Sequence, residues 1–291
     1  MSIQVLEQFS ASELETALKL AKAAEIQFFH LRGCDGLLAF CDLSIDRSRL
    51  LKIVFPKPTS LGWGDVKGII DIKYAYRDLR RYIRGNGGEK TSIIYGEFDD
   101  GGLSFGYLGL QDGGLWSEIY REGGSYRYGY HAGYTENWLR ELPNINLENH
   151  LQKPRGTFRI GLKRFNSVLT SLEGDLVLIQ QAEEGEVVFQ QVIRIDGPND
   201  YTPKYGLGRK APLQAASDKR FSVLFSMERL LTFTRALEKV APSSVVDVSI
   251  NSSGLLEIGA ETRVGSVTFV LARYNATGIT ASFDGYPIDA L

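Results

Sequence analysis

Cysteine, histidine and tryptophan are all scarce in this sequence of 291 residues. Two cysteines, Cys34 and Cys41, with no second pair exclude a disulfide-stapled scaffold and fit a reducing compartment. Secretion is therefore not expected, and the N-x-S/T matches at Asn251 and Asn275 read as chance. The histidines, His30, His131 and His150, have no metal-ligand spacing with one another or with the cysteines, so neither a metal nor another cofactor is expected. No apolar run is long enough to span a bilayer, which leaves no reason to expect a membrane partner. The first apolar stretch, residues 17–24, is broken by Lys19 and Lys22, so no signal peptide is expected. Excess charge is missing too: 33 basic against 35 acidic residues leave a net charge of -2. That balance excludes a globally basic nucleic-acid binder, but not a basic surface confined to one side of a neutral molecule.

What is present is an apolar fraction of 43%, enough for a substantial core, and a pattern that recurs four times. Each copy reads as a short apolar strand, a helix of about three turns and a meander of strands. In the first, Ile3, Val5 and Leu6 open a strand. Ser10 or Ser12 caps a helix over 13–24 with Glu13 and Glu15 in its first turn, and strands follow at 26–31, 37–43 and 50–55. In the second, strand 66–72 leads into helix 74–84, which Gly85-Asn86-Gly87-Gly88 stops; strands follow at 92–98, 103–110 and 115–120. The third has strand 157–162, helix 164–172 and strands 176–181 and 186–195. The fourth has strand 221–225, Ser226 as cap, helix 228–240, and strands 245–250, 255–258 and 264–272. Residues 126–155 and 197–219 lack this pattern. The latter, with Pro198, Pro203, Pro212 and several glycines, reads as a long surface loop. The expected fold class is α+β: four βαβββ-type repeats in two domains, 1–125 and 156–291, with 126–155 as connector and the helices on one face of antiparallel sheets.

The helices share one polarity of charge on their open sides. In the second, Ala75, Leu79, Tyr82 and Ile83 form the apolar side; Lys73, Arg77, Arg80, Arg81 and Arg84 oppose them with only Asp78 nearby. The first helix shows Lys19 and Lys22, the third is flanked by Lys163 and Arg164, and the fourth shows Arg235 and Lys239 beside Glu228 and Thr232. A single such helix is most simply a solvated basic face. Four of them on one side of a continuous sheet would line a concave surface suited to phosphates, with no means of reading bases.

Two stretches resemble a known family. "FSMERLLTFTRALEKVAPSSVVDVSI", residues 225–250, followed by "VGSVTFVLA", residues 264–272, is similar to the last repeat of sliding clamps of the proliferating cell nuclear antigen type. "LRELPNINLENHLQKPRGTFRIGLKRF", residues 139–165, resembles that family's interdomain connector running into its third repeat. The resemblance implies a DNA clamp, or processivity, fold and a protein that is not an enzyme. Three two-domain subunits would close into a homotrimeric ring, helices lining the hole, joined edge to edge by strand pairing, which also buries the exposed edges. Such a ring encircles double-stranded DNA without sequence preference and works with a DNA polymerase and a clamp loader, in the cytoplasm or nucleoid of a prokaryote or the nucleus of a eukaryote. Lys19, Arg77, Arg80 and Arg235 match inward-facing cations of the family. Cys41, Ile45, Leu151, Gly254, Val270 and Ala272 match the pocket where partners dock a short hydrophobic peptide, although Gly254 and Val270 replace the commoner proline and tyrosine. Alternatives are a subunit of a heterotrimeric or checkpoint clamp, a clamp-fold processivity factor acting as monomer or dimer, and, outside the clamps, a β-rich viral structural protein.

Other motifs have blander readings. Gly102-Leu103-Ser104-Phe105-Gly106 matches a nucleophile elbow, but its serine is expected within a strand rather than at a strand-to-helix turn. Gly206-Leu207-Gly208 has no βαβ unit around it, and Asp99-Asp100 and Glu183-Glu184 are turn residues. Trp63, Trp116 and Trp138 read as packing residues.

Overall fold

The computed structural model describes residues 3–44, 46, 48–60, 69–73, 76, 79–80, 91–97, 104–110, 154–181, 185–194, 205–217, 221–242, 244–251, 253–274, 282–283 and 286–287. The expected strand 115–120, the connector up to residue 153, and Arg77, Arg81, Arg84, Ile45 and Leu151 lie outside them. The chain divides into two compact units. One comprises Met1–Lys22, Ile26–Asp42 and Lys52–Asn149; the other comprises Ala23–Glu25, Leu43–Leu51 and His150–Leu291.

In the first unit the elements are β1 (Ile3–Phe9), α1 (Ala11–Ala23), β2 (Phe28–Cys34), β3 (Leu37–Leu43), β4 (Arg49–Pro58), β5 (Ile69–Asp71), helical residues at 72, 73, 76, 79 and 80, β6 (Thr91–Glu97) and β7 (Ser104–Leu110). α1 starts at a reciprocal cap: Ser10 N–H donates to Glu13 Oε2 at 2.8 Å and Glu13 N–H donates to Ser10 Oγ at 3.1 Å. Its Leu14, Ala17, Leu18 and Ala21 are buried at helical spacing. Asp35 and Gly36, both at positive φ, close β2 onto β3, the conformation that Asp-Gly favours in a two-residue hairpin. Phe9, Phe29, Phe40 and Phe55 form the core, with neighbouring ring centroids 4.8–5.6 Å apart. Each such buried ring contributes about 1.5–3 kcal/mol relative to exposure.

The second unit contains β8 (Pro154–Gly161), α2 (Leu162–Ser171), β9 (Leu176–Gln181), β10 (Glu186–Arg194), β11 (Tyr205–Ala216), β12 (Ser222–Ser226), α3 (Met227–Val240), β13 (Val245–Asn251), β14 (Leu256–Thr262) and β15 (Gly265–Leu271). A short pair, β16 (Ser282–Phe283) and β17 (Tyr286–Pro287), follows. Phe165 of α2 packs edge-on against Phe189 of β10 at 5.3 Å, and Phe233 of α3 stacks on Phe269 of β15 at 3.9 Å. One helix thus lies against each sheet of the unit.

The strand orders show how the four copies are wired. In the first unit they are β1-β6-β7 and β5-β2-β3-β4; in the second they are β8-β13-β14-β15 and β12-β9-β10-β11. The strand before each unit's first helix pairs with the strand after its second: β1 with β6, and β8 with β13. The strand before the second helix pairs with the strand after the first: β5 with β2, and β12 with β9. Neighbouring copies are therefore interlocked, and neither completes a sheet alone. Every pairing described is antiparallel. The α+β class and its antiparallel sheets stand as the repeats imply.

One expectation is overturned. Residues 205–216, expected to be loop, form β11, the counterpart of β4, and supply the third strand that the third copy lacked. Pro212 is accommodated because β11 lies at a sheet edge. The register slips twice, between Glu186 and Val188 and between Gln190 and Val192 of β10. Side-chain amides bridge the irregular places. Gln190 Nε2 donates to Gly208 O at 3.3 Å, Arg209 N–H donates to Gln191 Oε1 at 3.2 Å, and Gln181 Nε2 donates to Ser217 O at 2.6 Å. A smaller correction concerns Ile72, expected to end strand 66–72: it is helical, as is Lys73.

Candidate nucleic-acid interface

In the first unit the structure brings together cations from two helices. Tyr76 is the meeting point: Lys22 Nζ lies 5.6 Å from its ring centroid and Arg80 Cζ lies 5.7 Å from it. Both distances suit attraction of a cation to an aromatic face. Lys22, Lys73 and Arg80 are exposed. Lys19 is exposed too, but its charge is partly answered by Glu15 one turn earlier, at 2.9 Å. Sequence reasoning does not single out Tyr76 for this surface; its place four residues before Arg80 is the available signal.

In the second unit α2 and α3 run antiparallel. Asn166 Nδ2 donates to Thr234 O at 3.1 Å and to Glu238 Oε2 at 2.6 Å, and Arg235 Nη2 donates to Thr170 Oγ1 at 3.2 Å. Leu162 N–H donates to Ser244 O at 3.0 Å. This register sets the first turn of α2, with exposed Lys163 and Arg164, beside the last turn of α3, with exposed Lys239. On α3 the solvated stripe is Glu228, Thr232, Arg235 and Lys239, at three- and four-residue spacing. α2 has Gly161 as N-cap with no side-chain cap and no acid in its first turn. The positive end of the helix dipole there adds to the potential of the neighbouring lysine and arginine. Among the described residues Lys163, Arg164, Arg235 and Lys239 have no ion pair.

The sheet's solvent face is different. Asp247 on β13 sits directly across from Arg159 on β8, and the pair closes at 2.6 Å. Val246, Val248 and Ile250, the alternate residues of β13, are buried. In the second unit Arg159 on the sheet face is thus matched, whereas Lys163, Arg164, Arg235 and Lys239 on the helices have no acidic partner among the described residues.

The expected partner residues are placed less openly. Cys41 lies buried in β3 of the first unit. In the second unit Val270 is buried, Ala272 half-buried, and Gly254 buried at φ 75 in a turn that Asn251 organises by accepting from Ser253 N–H and Leu255 N–H. A Cβ at Gly254 would approach Arg273 Cδ to 2.9 Å, so Gly254 lies beside Arg273, two residues past the end of β15. Glycine is also what the positive φ favours. Gly254 thus adjoins Arg273, and Val270 is a core residue.

Next to Ala272 is a polar knot that the sequence did not announce. Asp46 accepts from Ser44 Oγ at 2.6 Å, from Ser48 Oγ at 2.7 Å and from Ser48 N–H at 3.1 Å. Arg229 Nη2 reaches its carboxylate at 2.9 Å, and Arg229 Nη1 donates to Ser48 Oγ at 2.7 Å. Arg49 adds a longer contact to Asp46 at 3.4 Å and pairs with Glu25 at 2.7 Å. Partial burial opposes ionisation of Asp46, but the hydrogen bonds from Ser44 and Ser48 and the charge of Arg49 outweigh it. The carboxyl is held well below its ordinary range. Ala272 N–H donates to Ser48 O at 2.7 Å.

Other candidates stay unassembled. Ser104 lies in β7, paired with Glu97 of β6, and not at a strand-to-helix turn. Among the described residues no three His, Cys, Asp or Glu side chains gather as a metal site, and no helix is long and apolar enough to cross a membrane.

No family profile matches the sequence, and no curated protein matches it significantly. Solved structures do match. The proliferating cell nuclear antigen of Entamoeba histolytica superposes with a TM-score of 0.50 over 92% of this chain and 97% of its own, at 12% identity. The PCNA2-PCNA3 complex from Sulfolobus tokodaii gives 0.50 over 91% and 98%, also at 12% identity. At that identity the likeness establishes the fold: this chain has the clamp fold of those proteins.

Proposed function

We propose that the chain is a sliding-clamp subunit, a non-catalytic processivity factor that self-associates into a ring around duplex DNA and tethers a polymerase and other replication proteins. The observation that carries this reading is the gathering of cations on the exposed helix faces of a clamp fold: Lys22 and Arg80 about Tyr76, and Lys163 and Arg164 beside Lys239. Point charges on exposed stems attract phosphates without fixing a register. A clamp must slide, and bidentate contacts to bases would pin it. In this reading two clamp domains are joined by the connector 126–155, and the edge strand β11 is one of the surfaces through which subunits meet.

The test is topological. A ring stays on a nicked circular duplex and slides off after linearisation, whereas an ordinary DNA binder leaves both at the same rate. Loss at equal rates from circle and line contradicts the proposal. We take the ring to be a homotrimer. The Sulfolobus complex of two clamp chains favours a second reading, a heteromeric ring. Solution mass decides: a trimer of this chain alone at micromolar concentration supports the first, and a persistent monomer supports the second.

A further inference from the structure

The exposed face of α2 and α3 changes character from one end to the other. At one end stand Lys163 and Arg164 in the first turn of α2 and Lys239 in the last turn of α3. The middle carries hydroxyls, Ser167 and Thr170 on α2 and Thr232 on α3, with Arg235 donating across to Thr170. At the other end stand Glu173 and Asp175, just past α2, and Glu228 in the first turn of α3. Met227 N–H donates to Asp175 O at 2.9 Å, which sets the residues after α2 beside the start of α3. Glu173, Asp175 and Glu228 are exposed and have no ion pair among the described residues. Arg229, next to Glu228, is paired with Asp46 at 2.9 Å. Glu238, near the basic end, is half-buried and held by Asn166 at 2.6 Å.

In α3 these charges are the ones its dipole favours, an acid at the positive end and a lysine at the negative end. In α2 they oppose the dipole, with cations at the positive end and Glu173 just beyond the C-cap Leu172. Local helix stability therefore accounts for the pattern in α3 but not in α2. The reversal in α2 gives the two antiparallel helices the same polarity in space. Glu228 and Lys239 are about 16 Å apart along the axis of α3, against a screening length of about 8 Å at physiological salt. The two ends therefore act on a polyanion separately rather than cancelling. We infer that this surface has a direction. Duplex phosphates are held at the end that carries Lys163, Arg164 and Lys239, and the carboxylates of Glu173, Asp175 and Glu228 keep the DNA backbone off the other end. DNA then crosses the helix pair near one end and not over its middle. This rests on the proposed contact between the helix faces and DNA, and adds which end of the surface that contact uses.

The test uses the full chain and, as probe, a fluorescent blunt-ended duplex of mixed sequence at low salt. A benzophenone-bearing amino acid is introduced at Gly161, where a Cβ meets nothing within 4 Å, or at Ser171, exposed at the opposite end of α2. Crosslinking to DNA from position 161 should exceed that from position 171 about tenfold. Glu173→Lys/Glu228→Lys should bring the two yields within about twofold of each other and tighten binding. It should also raise the slope of log affinity against log salt by about 0.9 for each phosphate newly neutralised. Glu173→Lys alone, which the dipole of α2 favours, should show the same changes at about half the size. Equal yields from the two positions in the otherwise wild-type chain overturn the inference. Wild-type affinity and salt slope in Glu173→Lys overturn it too. Lys163→Ala/Lys239→Ala separates these failures from failure of the DNA reading. If that variant binds the duplex more weakly than wild type, the contact stands and only its direction falls. If it binds like wild type and neither position crosslinks, the contact falls and this inference with it.

Discussion

Helices α1 and α2 hold equivalent places in the two units, each following the strand that opens its unit, yet their first turns are opposite in charge. α1 begins with the Ser10–Glu13 box, which satisfies its N–H groups internally and places a carboxylate at the positive end of the dipole. α2 begins at Gly161 with no side-chain cap, no acid and two cations, Lys163 and Arg164. Both helices bury an apolar stripe against their sheets: Leu14, Ala17, Leu18 and Ala21 in one, Leu162, Phe165, Val168 and Leu169 in the other. The fold follows from the stripe and the interlocked strands. The charge at a helix end is free to vary, and in α2 it is set against local helix stability. Such a choice makes sense at a surface that meets anions.

The comparison breaks first at the cores. If burial specifies both units, Phe40→Ala in the first and Phe165→Ala in the second should each cost about 3–5 kcal/mol in urea unfolding. A cost below about 1 kcal/mol at either position would show that the two units are not stabilised alike.

The caps come next. Ser10→Ala should cost about 1 kcal/mol, because it leaves Glu13 N–H without its acceptor. At Gly161 φ is -64 and a Cβ would meet nothing within 4 Å, so Gly161→Ser is sterically free. It should gain only a few tenths of a kcal/mol, since glycine is itself a tolerable cap. Thermal unfolding of the two variants side by side checks the sign as well as the size. A loss in Gly161→Ser would mean that the uncapped start of α2 has a structural cause.

A smaller effect separates the second unit by pH. The folded-state carboxyl of Asp46 is held below its unfolded value of about 3.9, so its contribution is present above that pH and is lost as pH falls through the lower folded value. The groups facing it are Ser44, Ser48, Arg49 and Arg229, with Glu25 on the far side of Arg49. Asp46→Asn should therefore be less stable than wild type at pH 6, and the difference should shrink below about pH 4. Parallel stability curves down to the lowest measurable pH would contradict this assignment.

The sequence made some of these features readable and hid others for physical reasons. Helix starts were legible because caps and apolar spacing are local, as at Ser10 and Ser226. α2 was expected to begin at residue 164 and begins at Leu162, since Gly161 offers no capping side chain to mark the start. β11 was missed because Gly206, Gly208 and Pro212 weaken every local strand signal. The amides of Gln181, Gln190 and Gln191 on two other strands supply what the segment lacks. The clue was an incomplete third copy, with two strands after its helix where the others have three. The basic stripes were legible as periodicity, but their convergence on Tyr76 and at the α2–α3 ends depends on tertiary register. The Asp46–Arg229 contact joins residues 183 apart and has no local signature at all.

The central claim is that the helix cations, and not the sheet face, meet DNA. Retention on a nicked circular duplex across a salt series tests it most directly, using Lys22→Ala/Arg80→Ala and Lys163→Ala/Lys239→Ala beside a sheet-face control, Arg159→Ala/Asp247→Ala. The account predicts that the control loads like wild type and leaves only on linearisation. The helix-face variants should load less, and the slope of log affinity against log salt should fall by about 0.9 for each phosphate that is no longer neutralised. Helix-face variants that load with wild-type salt dependence, while the sheet-face control fails, would contradict it.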